Sequence, residues 1–247
     1  MKEDSKIRFR RTLTMLSLIL AGEAVFVPPF HLGRYFKSSL LSTFAIDEYQ
    51  LGQLGAIYGI LAMACYLLGG PLADRFSPRK LVPASLIVTG LGSLYMSTIP
   101  SFGGLYALFG FWGASTILAF WAPLIRATRE WGGEDGQGRA FGILDGGRGL
   151  AAALLATVTA YAFAIMVDGD ASADPARETA AVRMLLYSYA GCCFLAAVCV
   201  WHFVPDPKPI LHRQGKPQQP DRADVVRRVW QVVRSPATWL QAAVIIA

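Results

Sequence analysis

Asp74, Arg75, Arg79 and Lys80 place four charges within seven positions of GGPLADRFSPRKLV, residues 69–82, between two long apolar runs. One carboxylate among three cations can form a cluster of charge-assisted hydrogen bonds. Three more charged residues lie inside apolar runs. Glu23 is flanked by small residues in AGEA, while Asp145 and Arg148 stand three apart and so share a helix face. A carboxylate in an apolar medium can take and release a proton when it has a partner or a cavity. It can equally remain protonated and simply pack. A guanidinium keeps five donors, enough to satisfy Asp145 and still hold an anion or a hydroxyl-rich solute. The bland reading of Asp145 and Arg148 is a self-satisfied ion pair.

The elements that must position these residues follow from composition. The 247 residues are 54% hydrophobic and 16% charged, with mean hydropathy +0.41. Soluble domains carry about 25% charged residues, and here the deficit is concentrated in long runs. About 20 apolar residues span a bilayer. Six segments qualify, at about 12–33, 50–73, 80–99, 103–126, 140–167 and 180–204, and a seventh begins near Pro236. The first is too long for a signal peptide and lacks a small-residue cleavage site at Val27-Pro28-Pro29-Phe30.

Nineteen of the 23 Lys and Arg fall on one side of this topology, which puts the N-terminus in the cytoplasm by the positive-inside rule. The net charge of +6 is therefore a topology signal, and no nucleic-acid partner is expected. Cys65, Cys192, Cys193 and Cys199 lie within apolar runs and read as small packed hydrophobes. Neither a metal nor a cofactor is expected: the three histidines have no ligand spacing, and GGRGL lacks the Lys-Ser/Thr ending of a phosphate-binding loop.

Local signals mark the segment ends. Asp47 with Gln50 predicts a capping box that starts the second helix. Ser77 followed by Pro78 predicts an N-cap and first-turn proline for the third. Gly52, Gly55, Gly59, Gly69 and Gly70 on the second helix predict close backbone approach. Residues 205–235 read as a flexible linker ending in a basic amphipathic helix on the membrane surface.

The 69–82 loop resembles the signature of the major facilitator superfamily, G-x-x-x-D-R/K-x-G-x-R/K-R/K, carried here by Gly70, Asp74, Arg75, Arg79 and Lys80. It departs at Ser77, where the family usually has Gly. VPDPKP at Val204–Pro209 resembles a Pro-acid-x-Pro element of sugar-porter branches, and Trp121–Leu150 resembles a bacterial branch of the superfamily. The resemblance covers essentially the whole chain. It implies an all-α integral membrane protein: a six-helix N-terminal bundle at 1–204, the linker at 205–235, and the start of helix 7 of a missing C-terminal half at 236–247.

The resemblance also implies functions for particular residues. Gly70, Asp74, Arg75, Arg79, Lys80 and Arg129 would form a latch that holds the cytoplasmic ends of the two halves in one conformation. Asp74, at a helix C-terminus where the macrodipole disfavours an anion, would be held by Arg75, Arg79 or Arg129. Glu23 would couple proton movement to transport. Trp112, Ser115, Thr116 and Trp121 would line the cavity with Asp145 and Arg148, because helices 1 and 4 build family cavities from this half. Phe109 stands where many members carry Arg, which weakens any proton-coupling scheme that relies on that Arg. The expected function is secondary transport of a small polar solute, an organic anion or sugar derivative, by proton symport across a bacterial inner membrane. The alternative is a six-helix channel or membrane scaffold acting as an oligomer; an enzyme is not expected.

Overall fold

The computed structural model describes residues 2–167, 174–206 and 234–235, and contains only helices among them. The chain divides into units Met1–Asp206 and Pro207–Ala247, and the first is described here. The expected linker, amphipathic helix and seventh span lie outside the described residues apart from Arg234 and Ser235.

The first span, Arg8–Tyr35, is built from α1 (Lys2–Ala24), a π-helical segment (Val27–His31) and α2 (Leu32–Tyr35). Pro28 and Pro29 have no N–H to give the helical ladder, so the α-helix cannot run straight through them. The chain answers with a π turn, a widening that often marks functional sites. A short helix α3 (Lys37–Phe44) follows, ending at Ala45 in the left-handed region with φ 50°. Helix α4 (Glu48–Arg75) starts on the expected capping box: Asp47 Oδ1 accepts the Gln50 N–H at 2.7 Å, and Gln50 Oε1 accepts the Asp47 N–H at 3.1 Å. It bends by 56° between Glu48–Tyr66 and Leu68–Arg75. Pro71, inside this helix, leaves the Leu67 carbonyl without its i+4 donor.

Helix α5 (Pro78–Met96) is capped as expected by Ser77, whose hydroxyl accepts the Arg79 N–H at 3.2 Å. Ser77 sits at φ −68° and ψ 137°, ordinary extended backbone, so this turn closes without a glycine. The fourth span, Phe102–Gly132, comprises α6 (Phe102–Thr116), a second π segment (Ile117–Trp121) and α7 (Ala122–Gly132). Helices α8 (Gln137–Met166) and α9 (Pro175–Phe203) complete the bundle. Asp174 caps α9, its Oδ1 accepting the Ala176 and Arg177 N–H groups at 3.0 and 3.3 Å.

Four of these spans are long and apolar enough to cross a membrane, and bent α4 makes a fifth. The sixth expected span, α5, is less apolar, because any 18-residue stretch of its 19 residues includes both Arg79 and Lys80. Its length is about 28 Å at 1.5 Å per residue, close to the ~30 Å of a hydrocarbon core.

Helix α5 packs along α9, α4 along α6, and α1 against α9 and α8. Inside lipid, close packing and interhelical hydrogen bonds replace the hydrophobic effect as the glue. Tyr58 Oη lies 2.7 Å from Thr116 Oγ1, Ser93 donates to the Leu186 carbonyl at 2.8 Å, and Ser85 to the Ser115 carbonyl at 3.0 Å. The glycines that allow this approach differ from those expected. A Cβ at Gly52, Gly55, Gly59 or Gly70 would meet open space, and only Gly69 of that series is near another backbone. The tight crossing of α4 and α6 depends on Gly113, where a Cβ would run into the Tyr58 carbonyl. Periodicity alone shows that a helix has a small face; the partner is chosen by tertiary packing.

Candidate functional site

Glu23 stands one turn before the paired prolines, at the end of α1. From there to Tyr35 the first span contributes Glu23, Phe26, Phe30, His31 and Arg34 to one wall of a cavity of about 240 Å³, and α8 contributes Arg148 and Ala152 to the other. The expected proton-coupling residue and the expected solute-binding arginine therefore face one space. Arg148 and Arg34 are the cations within electrostatic reach of Glu23.

Arg148 reaches this space because α1 has no side chain in its path. A Cβ on Gly22 would lie 2.8 Å from Arg148 Cδ. The guanidinium lies over two aromatic rings, 5.5 Å from the Trp121 centroid and 5.8 Å from that of Phe26, a favourable cation–π geometry. Its link to Asp145 is slack: Nη1 is 3.4 Å from Oδ1, and the Asp145 side chain is 68% exposed. The Nε atom is buried with no partner. A self-satisfied pair would not leave that donor idle, and buried donors without acceptors are costly.

His31, which with Arg34 closes helix 1 near its outer end and reads from the sequence as a gate residue, lines this cavity. It is 5% exposed, and its Nδ1 is 2.8 Å from Tyr189 Oη on α9. Tyr189 is fully buried and must place one hydroxyl proton; among the described residues His31 is its hydrogen-bond partner. Donation to Nδ1 satisfies that proton and leaves the hydrogen of the neutral ring on Nε2. That Nε2 is buried without a partner. The available signal was the Pro-Pro pair before His31, since the π turn rotates the helix face that follows it.

The structure sorts the remaining candidates. Trp121, in the second π segment, belongs to the site through its stacking on Arg148 and its 6.0 Å contact with the Phe26 ring. Trp112 and Thr116 do not face the cavity. Trp112 is fully buried against Gly92 and donates to the Thr89 carbonyl at 3.3 Å. Thr116 is spent on Tyr58 and on the Trp112 carbonyl at 2.7 Å. Ser115 is partly buried and donates to the Trp112 carbonyl at 3.4 Å. Trp112 and Thr116 therefore serve bundle packing, while Trp121 stacks on the arginine that lines the cavity.

Among the described residues no ion pair within 4.0 Å joins Asp74 to a cation, and Gly70, Asp74, Arg75, Lys80 and Arg129 are exposed. Arg126, which sequence reasoning missed, reaches the C-terminus of α4: its Nη1 donates to the Ala73 carbonyl at 2.6 Å and its Nε to Glu130 at 2.9 Å. Arg79 goes to the end of α9, donating from Nε to the Trp201 carbonyl at 2.7 Å and stacking 5.5 Å from the Trp201 ring. Both guanidiniums satisfy the free carbonyls at helix C-termini, where the dipole is negative.

The sequence profile of the Major Facilitator Superfamily matches residues 9–247. The inner membrane protein YqcE of Escherichia coli (strain K12) is 24% identical over 237 residues, 96% of this chain and 53% of the relative. The inner membrane protein YihN of the same organism is 26% identical over 133 residues, 54% of this chain and 31% of the relative. The chain spans about half the length of the first of these relatives. No solved structure gives a significant match.

Proposed function

Because the chain belongs to the major facilitator superfamily, and is thus a multi-pass membrane protein of transporter type, we propose that it moves a small organic anion by proton symport. The observation that carries this reading is the cavity shared by Glu23, His31, Arg34 and Arg148, with two buried donors unfilled. Arg148 and the His31 Nε2–H hold the anionic group, Arg34 adds charge from the outer rim, and Trp121 and Phe26 keep the guanidinium flat and dry. Glu23 and an anionic solute compete for the same cations. Protonating Glu23 removes that competition, so proton and anion favour each other's binding by linkage. Such linkage favours loading proton and anion together, as symport does.

The transporter works by rocking two helical halves about a midplane site. The open glycine-rich faces of α4 and α8 receive a second half, and Asp74 with its neighbouring cations forms a latch made across that junction. The asymmetry of Lys and Arg supports a cytoplasmic N-terminus, and the names of the relatives support a bacterial inner membrane as the location.

The test combines binding with counterflow, using the protein in the form the cell produces. Thermal shift in detergent would compare hydroxycarboxylates and sugar phosphates with neutral sugars. Anions should raise the melting temperature of the wild type and have no effect on Arg148→Gln. Equal stabilisation by neutral sugars in both proteins would overturn the anion assignment. Proteoliposomes loaded with the active anion should show obligatory exchange. Flux without exchange would favour a channel.

A further inference from the structure

A second polar site lies at the opposite end of α1. We propose that the groove between α1 and α8 beside Trp131 binds one anionic phospholipid, with its phosphate at Arg8, Arg11 and Arg139 and an acyl chain along Leu16, Ile19 and Ile143. This groove has a volume of about 570 Å³ and takes all three guanidiniums but no carboxylate. Glu130, Glu134 and Asp135 line a neighbouring cavity of about 580 Å³, which shares Arg11 and Trp131 with the groove.

The groove is built rather than incidental. Arg11 Nη2 donates to the Trp131 carbonyl at 3.0 Å, and Trp131 Nε1 donates back to the Arg11 carbonyl at 2.7 Å. The Arg11 guanidinium also lies 5.2 Å from the Trp131 ring centroid. This reciprocal lock ties α7 to α1 and fixes one cation at the mouth. Arg8 and Arg139 are exposed, and no side-chain hydrogen bond or ion pair engages them among the described residues.

The order of residues along the helices matches a lipid. From Arg8 to Ile19 is eleven residues, about 16 Å of helix, and the lining changes from cationic to apolar over that distance. Arg139 and Ile143 repeat the change over one turn of α8. Trp131 stands at the boundary, as indole does at the headgroup level. A free anion would use the cations and leave the apolar half empty; a zwitterionic lipid would fill the apolar half but bring its own headgroup cation beside three guanidiniums, with no net negative charge to offset them. Basic pockets between spanning helices at a membrane face are suited to anionic headgroups. Binding here does not depend on the solute assignment or on which way the chain faces.

Native mass spectrometry of the full chain, released from nanodiscs of equal phosphatidylglycerol and phosphatidylcholine with identical acyl chains, tests the site. The wild type should retain phosphatidylglycerol about tenfold over phosphatidylcholine, the scale expected for a few guanidiniums near an anionic headgroup. Arg8→Gln with Arg139→Gln should bring that preference to within about twofold while leaving the melting temperature unchanged. Lys6→Gln with Arg10→Gln removes the same charge from exposed positions outside the groove and should keep the preference. Three results would overturn the proposal: equal retention of both lipids by the wild type, equal loss in the two double variants, or full displacement of phosphatidylglycerol by millimolar inorganic phosphate.

Discussion

Gly22 and Arg148 are coupled by an absence: the missing Cβ of one is the space occupied by the stem of the other, 2.8 Å from Arg148 Cδ. Gly22→Ala forces Arg148 off the Trp121 and Phe26 rings without removing its charge. Transport or anion affinity should fall by at least about tenfold, as expected when a binding group is misplaced by about 1 Å. The melting temperature should move far less than for a core substitution. An active Gly22→Ala protein would mean that Arg148 is not positioned by this contact.

The linkage between Glu23 and the bound anion sets the sign of the pH dependence. Protonated Glu23 leaves Arg148 and Arg34 free for the solute, so anion affinity should fall as pH rises through the Glu23 titration. Glu23→Gln mimics the protonated form. It should bind the anion at least as tightly as wild type at low pH, lose the pH dependence, and fail to accumulate solute against a gradient while still exchanging it. Isothermal titration at several pH values, together with counterflow, separates these outcomes.

At the charged loop, geometry distinguishes two neighbouring arginines. Arg126→Gln removes the donor to the Ala73 carbonyl and the contact with Glu130. It should cost about 1.5 kcal/mol, the scale of a hydrogen bond from a charged group. Arg129→Gln changes an exposed residue and should stay within about 0.5 kcal/mol. Asp74→Asn should likewise leave stability nearly unchanged yet slow transport, because its proposed partners belong to the junction between halves. Denaturation in mild detergent and proteoliposome uptake check the two arms.

Helix crossing should depend on Gly113 and not on glycine as such. Gly113→Ala drives a methyl into the Tyr58 carbonyl and should cost about 3 kcal/mol or prevent folding. Gly191→Ala, where a Cβ meets open space, should stabilise α9 by about 0.5–1 kcal/mol through helix propensity. Equal effects at the two positions would contradict the packing of α4 on α6.

Much of this protein could be read in one dimension, and the reason is physical. Lipid demands that every spanning segment be long, apolar and internally hydrogen-bonded, so membrane class and most helix positions follow from runs of residues. Caps are also local: Asp47 with Gln50, and Ser77 with Pro78, act within one turn and appeared where expected. Even the Ser77 departure from the signature was readable as a cap. Other features depend on what lies across a helix interface, which no spacing encodes. The π turns at Val27–His31 and Ile117–Trp121 rotate the faces beyond them. His31 lines the cavity of Glu23 and Arg148, Trp121 stacks on Arg148, and Trp112 and Thr116 are left to packing. Likewise a helix C-terminus needs a cation, but whether Arg126 or Arg129 reaches α4 depends on the rotation of α7 against it. The sequence by itself determined a membrane helical bundle with charges in its interior; the tertiary structure decided which of those charges share a cavity, because helix rotation and close approach are set by packing between segments far apart in the chain.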